Sequence, residues 1–404
     1  MRAVCVGLLA LSVLTLPAEA QRLGPAPKRP RHATLSDTND ARAYLEFGIR
    51  TAERDAESAA AAFYWAARLD PTSGDALYGR AMGLVMSDQS LWRNYMKSSR
   101  RSMQGKDLRR IDSLLFRAHT MDPFLFRRLE RAVITGGIRQ DIKSSMSASE
   151  APGDGEIDYS ITQYLSTAGA EMQGWMAYSA SDFTQALSYY AQAMKLEKYK
   201  AWFHIERGRI FGRLARQDSA IAEFQAALTE MRARDAKDLV ILYDSKAVLE
   251  HSIAVLLEQK DDVAGAREAY GRALQEDLSY YPAHLRLGLL AVALKDTATA
   301  FSELETAVQV APAEPHPRLM AAVALLANDQ ADRAIPHLLK AIEIEPMWAA
   351  PYAALAQAYE RKAKGPEALA AYTGFFAHAA RNNPLLPQMT ERMNNLKEFL
   401  GVKP

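Results

Sequence analysis

An alanine that recurs at a fixed spacing constrains the fold of this chain more than any other feature of its sequence. The members of this column are Ala186, Ala220, Ala266, Ala300, Ala334 and Ala368. Successive members are 34 residues apart, except for one step of 46 residues. A period of this length indicates stacked copies of one supersecondary unit, in which each copy covers the hydrophobic face of its neighbour.

Three further columns share this period. An aromatic residue or a leucine follows each alanine by four positions, at Tyr190, Phe224, Tyr270, Leu304, Leu338 and Tyr372. Three positions later comes a second alanine, at Ala193, Ala227, Ala273, Ala307 and Ala341, until Phe375 breaks the column. Another small residue lies twelve positions before each first alanine, at Gly174, Gly208, Ala254, Gly288, Ala322 and Ala356. Because small residues let two antiparallel helices approach closely and the larger side chain fills the space between them, the columns predict helix pairs.

The segments that carry the columns are ALSYYAQAM, AIAEFQAAL, AREAYGRAL, AFSELETAV, AIPHLLKAI and ALAAYTGFF. With these segments the chain resembles the tetratricopeptide repeat (TPR) family, whose 34-residue unit is a helix–turn–helix. The resemblance implies an all-α fold, a right-handed TPR α-solenoid of antiparallel helix pairs. Within a repeat region of 159–382 it places six units, at 167–200, 201–234, 247–280, 281–314, 315–348 and 349–382.

Weaker helical patterns flank the six units. Residues 37–86 are predicted to form degenerate TPR-like helices, one of which ends at Pro71, since proline cannot continue a helix. Residues 383–404 are predicted to contain a capping helix that covers the apolar face of the last unit.

The first twenty residues have the pattern of a secretory signal peptide. A short positive start at Met1-Arg2 precedes an apolar run that is too short to span a bilayer, and Ala18-x-Ala20 matches a cleavage site. We therefore expect residues 1–20 to be removed and the mature chain to start at Gln21, in the periplasm or outside the cell; association with the cell envelope is compatible with this expectation. An uncleaved membrane anchor is the alternative interpretation. Residues 21–36 are rich in proline and basic side chains and are interpreted as a flexible arm.

Residues 87–158 differ in composition from the repeats and are interpreted as a basic helical insert followed by a linker. Thirteen lysines and arginines against five acidic residues fall within 93–143. One helix is expected to carry Leu108, Ile111, Leu115 and Ala118 on its apolar face. A second helix is expected from about Phe124 to Thr135, ended by Gly136-Gly137, with a mobile linker over 144–158.

The arginines of the insert form a candidate basic patch. Its members are Arg100, Arg101, Arg109, Arg110, Arg127, Arg128 and Arg131. One interpretation is a binding site for an anionic surface, such as lipid headgroups, glycans or an acidic protein. The other is a solvated basic face of two amphipathic helices. With a net charge of +1 on the whole chain, nucleic-acid binding is not expected.

The first helix of each unit lines the concave surface in TPR proteins, and the resemblance therefore implies a groove for a protein or peptide partner. Its candidate residues are Trp175, Tyr178, Trp202, Ile205, Arg209, Arg213, His251, Leu285, Leu289, Leu319, Val323 and Gln357. The stretch from Ala283 to Leu294 is apolar nearly all round, which predicts that something covers it. A segment of this same chain and an external peptide remain alternative occupants.

No phosphate-binding loop, nucleophile elbow or zinc-protease motif occurs, and the only cysteine, Cys5, lies in the expected signal peptide. We expect no catalytic residues, no metal site, no cofactor and no transmembrane segment after processing. The predicted function is a non-enzymatic scaffold or adaptor that mediates protein–protein interactions in the cell envelope through its concave groove. The alternatives are a hydrolase or transferase with its site in the insert or between the arms, or a peripheral binder of anionic groups through residues 93–143.

Overall fold

The computed structural model describes residues 26–98, 106–145, 153–234 and 244–402. Across these residues the fold is all α-helical, with a short 3-10 helix at Ala33–Leu35 and no β-strand. The expected signal peptide, together with Arg100 and Arg101 of the candidate basic patch, lies outside the described residues.

In the described part of the chain, eight helices precede the first turn of the repeat array. They are α1 (Ala41–Thr51), α2 (Ala56–Leu69), α3 (Gly74–Ser87), α4 (Gln89–Ser98), α5 (Lys106–Met121), α6 (Glu130–Ser145), α7 (Asp154–Ser166) and α8 (Ala170–Ser179). The remaining helices are α9 (Phe183–Leu196), α10 (Ala201–Arg213), α11 (Gln217–Ala233), α12 (Lys246–Gln259), α13 (Val263–Glu276), α14 (Tyr281–Ala293), α15 (Thr297–Val310), α16 (Pro315–Ala327), α17 (Ala331–Ile344), α18 (Ala349–Arg361), α19 (Gly365–His378) and α20 (Leu386–Phe399).

The six helix pairs from α8–α9 to α18–α19 are joined by the same turn. One residue other than glycine in each turn has a positive φ, between 54° and 65°: these residues are Ser181, Ala215, Asp261, Lys295, Asp329 and Ala363. In each turn the following N–H bonds back to the carbonyl five residues earlier, as Asp296 does to Ala291 at 2.9 Å. This is the Schellman arrangement that ends a helix. The turns repeat with the same spacing as the alanine column, so the repeat period is present in the backbone conformation as well as in the sequence.

The small-residue columns lie where the two helices of a unit meet. All six column alanines are buried, and so are the aromatic residues and leucines that follow them. A Cβ placed on Gly288 of α14 would lie 2.7 Å from Leu304 Cγ of α15, so the glycine sets the distance between these helices. The expected all-α solenoid of TPR-type helix pairs is thereby confirmed.

The insert departs from two expectations. Helix α6 begins at Glu130 and continues through Gly136-Gly137 to Ser145, instead of ending at the glycines. Gly137 faces Trp92 of α4, and a Cβ at this glycine would lie 2.0 Å from the indole ring, so the glycine permits a close helix contact. Residues 154–158 of the expected mobile linker belong to α7, because Ile157 packs with Ile134 and Ile161 in a small core.

The N-terminal helices contact the last repeat units. Arg68 of α2 forms an ion pair with Glu345 at 2.7 Å, and Met347 packs against the N-terminal core. Asn39 donates from Nδ2 to the carbonyls of Ala377 and Ala379, at 2.9 and 3.3 Å. The N-terminal helices are therefore joined to the last repeat units. Among the described residues no helix is long and apolar enough to cross a membrane.

Candidate functional site

Helix α5 of the insert packs against the first helices of the units, on the face that the resemblance assigned to a partner. We call this face, formed by α8, α10, α12, α14, α16 and α18, the inner face. The Phe116 side chain of α5 contacts three hydrophobic cores, those of the N-terminal helices, of units two and three, and of units four and five. Its ring meets Tyr280 edge to face, with 5.8 Å between ring centroids. One aromatic side chain thus joins the insert to the repeats.

The connector between α5 and α6 continues across the first two units. Phe124 stacks on Phe224 at 6.4 Å and lies against Gly212 of α10, where a side chain would leave no room for it. The hydroxyl of Tyr178 donates to the carbonyl of Leu125 at 3.0 Å. The chain itself therefore occupies the part of the inner face that belongs to the first two units.

A buried ionic cluster fixes the connector to α10. Arg127 pairs with Glu206 and with Glu130, and Arg209 pairs with Glu206 at 3.0 Å and with Asp244 at 2.8 Å. Two guanidinium groups therefore face three carboxylates. Burial raises the pKa of Glu130 to about 7, Arg127 lowers it, and Glu206 adds to the rise. Burial is the largest of these effects, since it disfavours the charged form of the carboxyl group.

The predicted groove residues fall into three groups. Those that are buried are Tyr178, Ile205, Arg209, His251, Leu285 and Leu319. Those that are half-buried are Trp175, Trp202, Leu289 and Gln357. Arg213 and Val323 are exposed. An external partner at the buried positions would have to displace part of this chain, whereas the exposed and half-buried positions are open to contact.

The predicted basic patch does not form one surface among the residues that the structure describes. Arg127 is buried in the ionic cluster, because its pairing with Glu206 offsets the cost of removing the charge from water. Arg109 and Arg131 are exposed, while Arg110 and Arg128 are half-buried. Arg128 lies 3.8 Å from Glu46 and 3.9 Å from Asp75, so acidic side chains already neutralise part of its charge.

A pocket opens where α5 meets the third and fourth units, with a volume of about 650 Å³. Tyr280 and Tyr281 line it together with Lys246 and Glu276, which are ion-paired at 2.9 Å. Sequence reasoning did not find this pocket or its α5 wall. Phe116 stands outside the predicted apolar stripe of α5, and a bulky apolar residue in that place is the signal that the helix packs on two sides.

In the described part of the chain, no group of three or more histidine, cysteine, aspartate or glutamate side chains is arranged to hold a metal ion. Arg209, a buried charged residue among the predicted groove residues, is held in the ion pairs described above.

No protein-family model matches the chain, and no curated protein matches it. Among solved structures, the C-terminal part of a TPR repeat-containing protein from Cytophaga hutchinsonii is similar over 56% of this chain and 84% of its own, with 14% identity and a TM-score of 0.44. MamA from Desulfovibrio magneticus RS-1 is similar over 44% of this chain and 93% of its own, with 16% identity and a TM-score of 0.36. MamA AMB-1 shows 18% identity and a TM-score of 0.34, over 45% of this chain and 92% of its own.

The class of protein follows from the chain's own repeat geometry. It is an α-solenoid of TPR-type helix pairs whose inner face is partly covered by an insert from the same chain. Architectures of this class present extended surfaces for binding other macromolecules.

Proposed function

We propose that this chain is a non-enzymatic scaffold that binds a protein partner on the uncovered part of its inner face. The proposal includes export, through removal of residues 1–20, to the periplasm or the outside of the cell, where the chain assembles proteins of the envelope. The support for binding comes from the inner face. The support for export is the signal-peptide pattern of the sequence.

One comparison along the repeats carries the proposal. Arg209, Leu289, Val323 and Gln357 occupy the same position in units two, four, five and six, one residue after the small residue of the first helix. Only 1% of Arg209 is exposed, since the insert covers it, whereas 44% of Val323 is exposed. The row is therefore most open at Val323, while Leu289 and Gln357 are half-buried, as are Trp175 and Val255 at the same position of units one and three.

The row is chemically suited to a peptide or helix with apolar side chains. Leu289 and Val323 supply aliphatic surface and Gln357 supplies hydrogen-bonding groups beside it. Interfaces with protein partners combine an apolar centre with a polar rim, and a few anchor residues carry most of the binding energy.

The test is affinity capture with the mature chain in extracts of the host's extracytoplasmic proteins, followed by a binding measurement with the purified partner. Val323→Asp on α16 is expected to weaken binding by about thirtyfold, since losing a central apolar anchor commonly costs about 2 kcal/mol. Leu339→Asp on α17 is the matched control, because Leu339 is 47% exposed and belongs to a second helix. Equal binding by both variants and the unaltered chain would overturn the proposed site.

Export is tested separately by intact-mass analysis of the protein from its host. The expected mass corresponds to a chain that starts at Gln21 and is recovered outside the cytoplasm. A cytosolic protein that retains Met1 would overturn this part of the proposal and leave the binding row untouched.

A further inference from the structure

Arg80 of α3 is a buried arginine without a counter-ion among the described residues. Only 9% of its surface is exposed, and its Nε is buried without a hydrogen-bond partner. Its guanidinium lies over the ring of Tyr64, 5.1 Å from the centroid. A cation over an aromatic face gains about 0.5–2 kcal/mol, much less than the cost of burying an isolated charge.

The groups around Arg80 do not supply the missing negative charge. Glu345 is an acid whose charge acts on Arg80, but that carboxylate is bonded at 2.7 Å by Arg68. Arg117 and Arg110 of α5 are close enough to repel it, and Arg117 is itself paired with Glu314. Burial and these two like charges lower the pKa of Arg80 to about 10.

A cavity of about 680 Å³ adjoins this arginine, and we call it the Arg80 cavity. Its walls come from α2, α3, the start of α5 and the stretch 27–30 that precedes the first helix. The cationic residues that line it are Lys28, Arg29, Arg80 and Arg110, and Glu57 is the one acidic residue of the lining. Four positive charges minus one negative charge leave a formal charge of +3. Arg110, like Arg80, makes no ion pair within the described residues.

We propose that the Arg80 cavity binds a phosphoryl group, presented as inorganic phosphate or as a small phosphate monoester. A guanidinium donates two parallel N–H groups to such an oxyanion, and this bidentate contact is among the strong hydrogen bonds of proteins. A phosphoryl group carries a charge near −2 at neutral pH, which balances a surplus of +3 better than the single charge of a carboxylate does. This site is separate from the partner-binding row on the later units, and neither proposal depends on the other.

The cavity has room for inorganic phosphate and for a small phosphate monoester, and one experiment distinguishes between these two ligands. The full mature chain is titrated calorimetrically with inorganic phosphate, with glycerol phosphate and with acetate at constant ionic strength. Saturable binding of phosphate or of the monoester, with weaker binding of acetate, is expected. A monoester that binds tighter than phosphate identifies the ester as the ligand, and equal binding identifies the free ion. Acetate binding as tightly as phosphate would overturn the phosphoryl assignment.

Arg80→Met is the principal variant, because methionine keeps most of the volume and removes the charge. It is expected to weaken phosphate binding by about tenfold or more, since it removes charge-assisted hydrogen bonds. Its melting temperature without ligand should equal or exceed that of the unaltered chain, because an uncompensated charge has been removed. A merely structural arginine would give the opposite result, a lower melting temperature with no effect on binding.

Two further variants complete the test. Arg110→Met removes a half-buried charge and is expected to weaken phosphate binding even if Arg80→Met does not fold. Arg42→Met is the matched control, because Arg42 is an exposed arginine of α1 that does not line the cavity. Phosphate that raises the melting temperature no more than sodium chloride does, or that binds equally to all variants, would overturn the proposal.

Discussion

Two histidines are fully enclosed in the core and cannot charge without disturbing it. His119 of α5 makes a hydrogen bond from Nδ1 to the carbonyl of Leu115 at 2.9 Å, and His251 of α12 lies between the rings of Tyr270 and Tyr280. Burial, and then the charge of Arg286, lower the pKa of His251 to about 3. A histidine in the unfolded chain has a pKa of about 6.5. The stability that His251 contributes is therefore complete above pH 6.5 and is lost progressively as the pH falls below that value.

His251→Phe is expected to reduce the acid sensitivity of folding, because the unfolded chain then gains no proton at this position. The difference in unfolding free energy between about pH 7.5 and about pH 5 should shrink by roughly 2 kcal/mol. Urea denaturation at the two pH values measures it, with His32→Phe, at an exposed position, as the control. An unchanged difference in His251→Phe would show that the buried imidazole takes up no fewer protons than the unfolded one.

Ala300 tests the packing of the small-residue columns. It is buried at the contact between α14 and α15, and its carbonyl lies against Gly288. Ala300→Leu is expected to overpack this contact and to lower the unfolding free energy by about 1–3 kcal/mol. Ala298→Leu, two residues earlier on the exposed side of α15, should change it by less than about 0.5 kcal/mol. Chemical denaturation midpoints that do not differ between the two variants would contradict the assigned repeat phase.

At the scale of elements, helix α5 of the insert links the N-terminal helices to the repeats. The apolar stripe predicted for α5 is real, and Leu108, Ile111, Leu115 and Ala118 are all buried in the N-terminal core. The other side of α5, with Phe116, meets the repeats instead. A helix that is buried on two sides joins two cores, so the insert holds the N-terminal helices and the repeats together.

The substitution Gly212→Ala tests whether the connector between α5 and α6 packs against α10. In a helix that touches nothing, alanine is favoured over glycine by about 1 kcal/mol. At Gly212, however, the new Cβ would lie 2.4 Å from the Phe124 ring, so a docked connector makes the substitution destabilising. Gly271→Ala on α13 is the control, since no atom lies within 4 Å of its Cβ position, and this variant should gain stability. Thermal melts show whether each variant raises or lowers the melting temperature. A higher melting temperature in both variants would contradict the packing of Phe124 against Gly212.

At the scale of the whole molecule, contacts couple the N-terminal helices to the last repeat units. In an open solenoid, stability is a sum of local terms between neighbouring repeats. Here Arg68 and Glu345 are 277 residues apart in sequence and form an ion pair that is mostly buried. The last units are therefore coupled to the first helices directly as well as through the intervening repeats.

Arg68→Ala is expected to weaken this coupling. It leaves Glu345 buried without its partner, and breaking a buried pair costs about 3–5 kcal/mol, less here because Arg68 retains some contact with water. Hydrogen exchange should show lost protection in both α2 and the α17–α18 region. Lys362→Ala removes the exposed ion pair with Asp332 and should cost less than about 1 kcal/mol. Loss of protection confined to α2 would contradict the coupling of the N-terminal helices to the last units.

The sequence by itself determined the repeat unit and its phase. These features depend on contacts between residues close in sequence, such as Gly288 with Leu304, and the same local pattern recurs in every unit. The predicted end of α6 at Gly136-Gly137 was wrong because the role of these glycines depends on a contact with a residue far away in sequence. A glycine that stops a helix and a glycine that permits contact with Trp92 look alike until the neighbouring helix is in place.

Only the tertiary structure decided what covers the inner face, which arginines of the insert are buried, and where the Arg80 cavity lies. Each of these depends on side chains far apart in sequence, such as Phe116 with Tyr280 or Arg127 with Glu206. Hydrophobic and charged residues on an amphipathic helix show that it needs a partner, but the burial of a particular side chain depends on which surface it meets. That surface exists only after the repeats have stacked and the insert has crossed them.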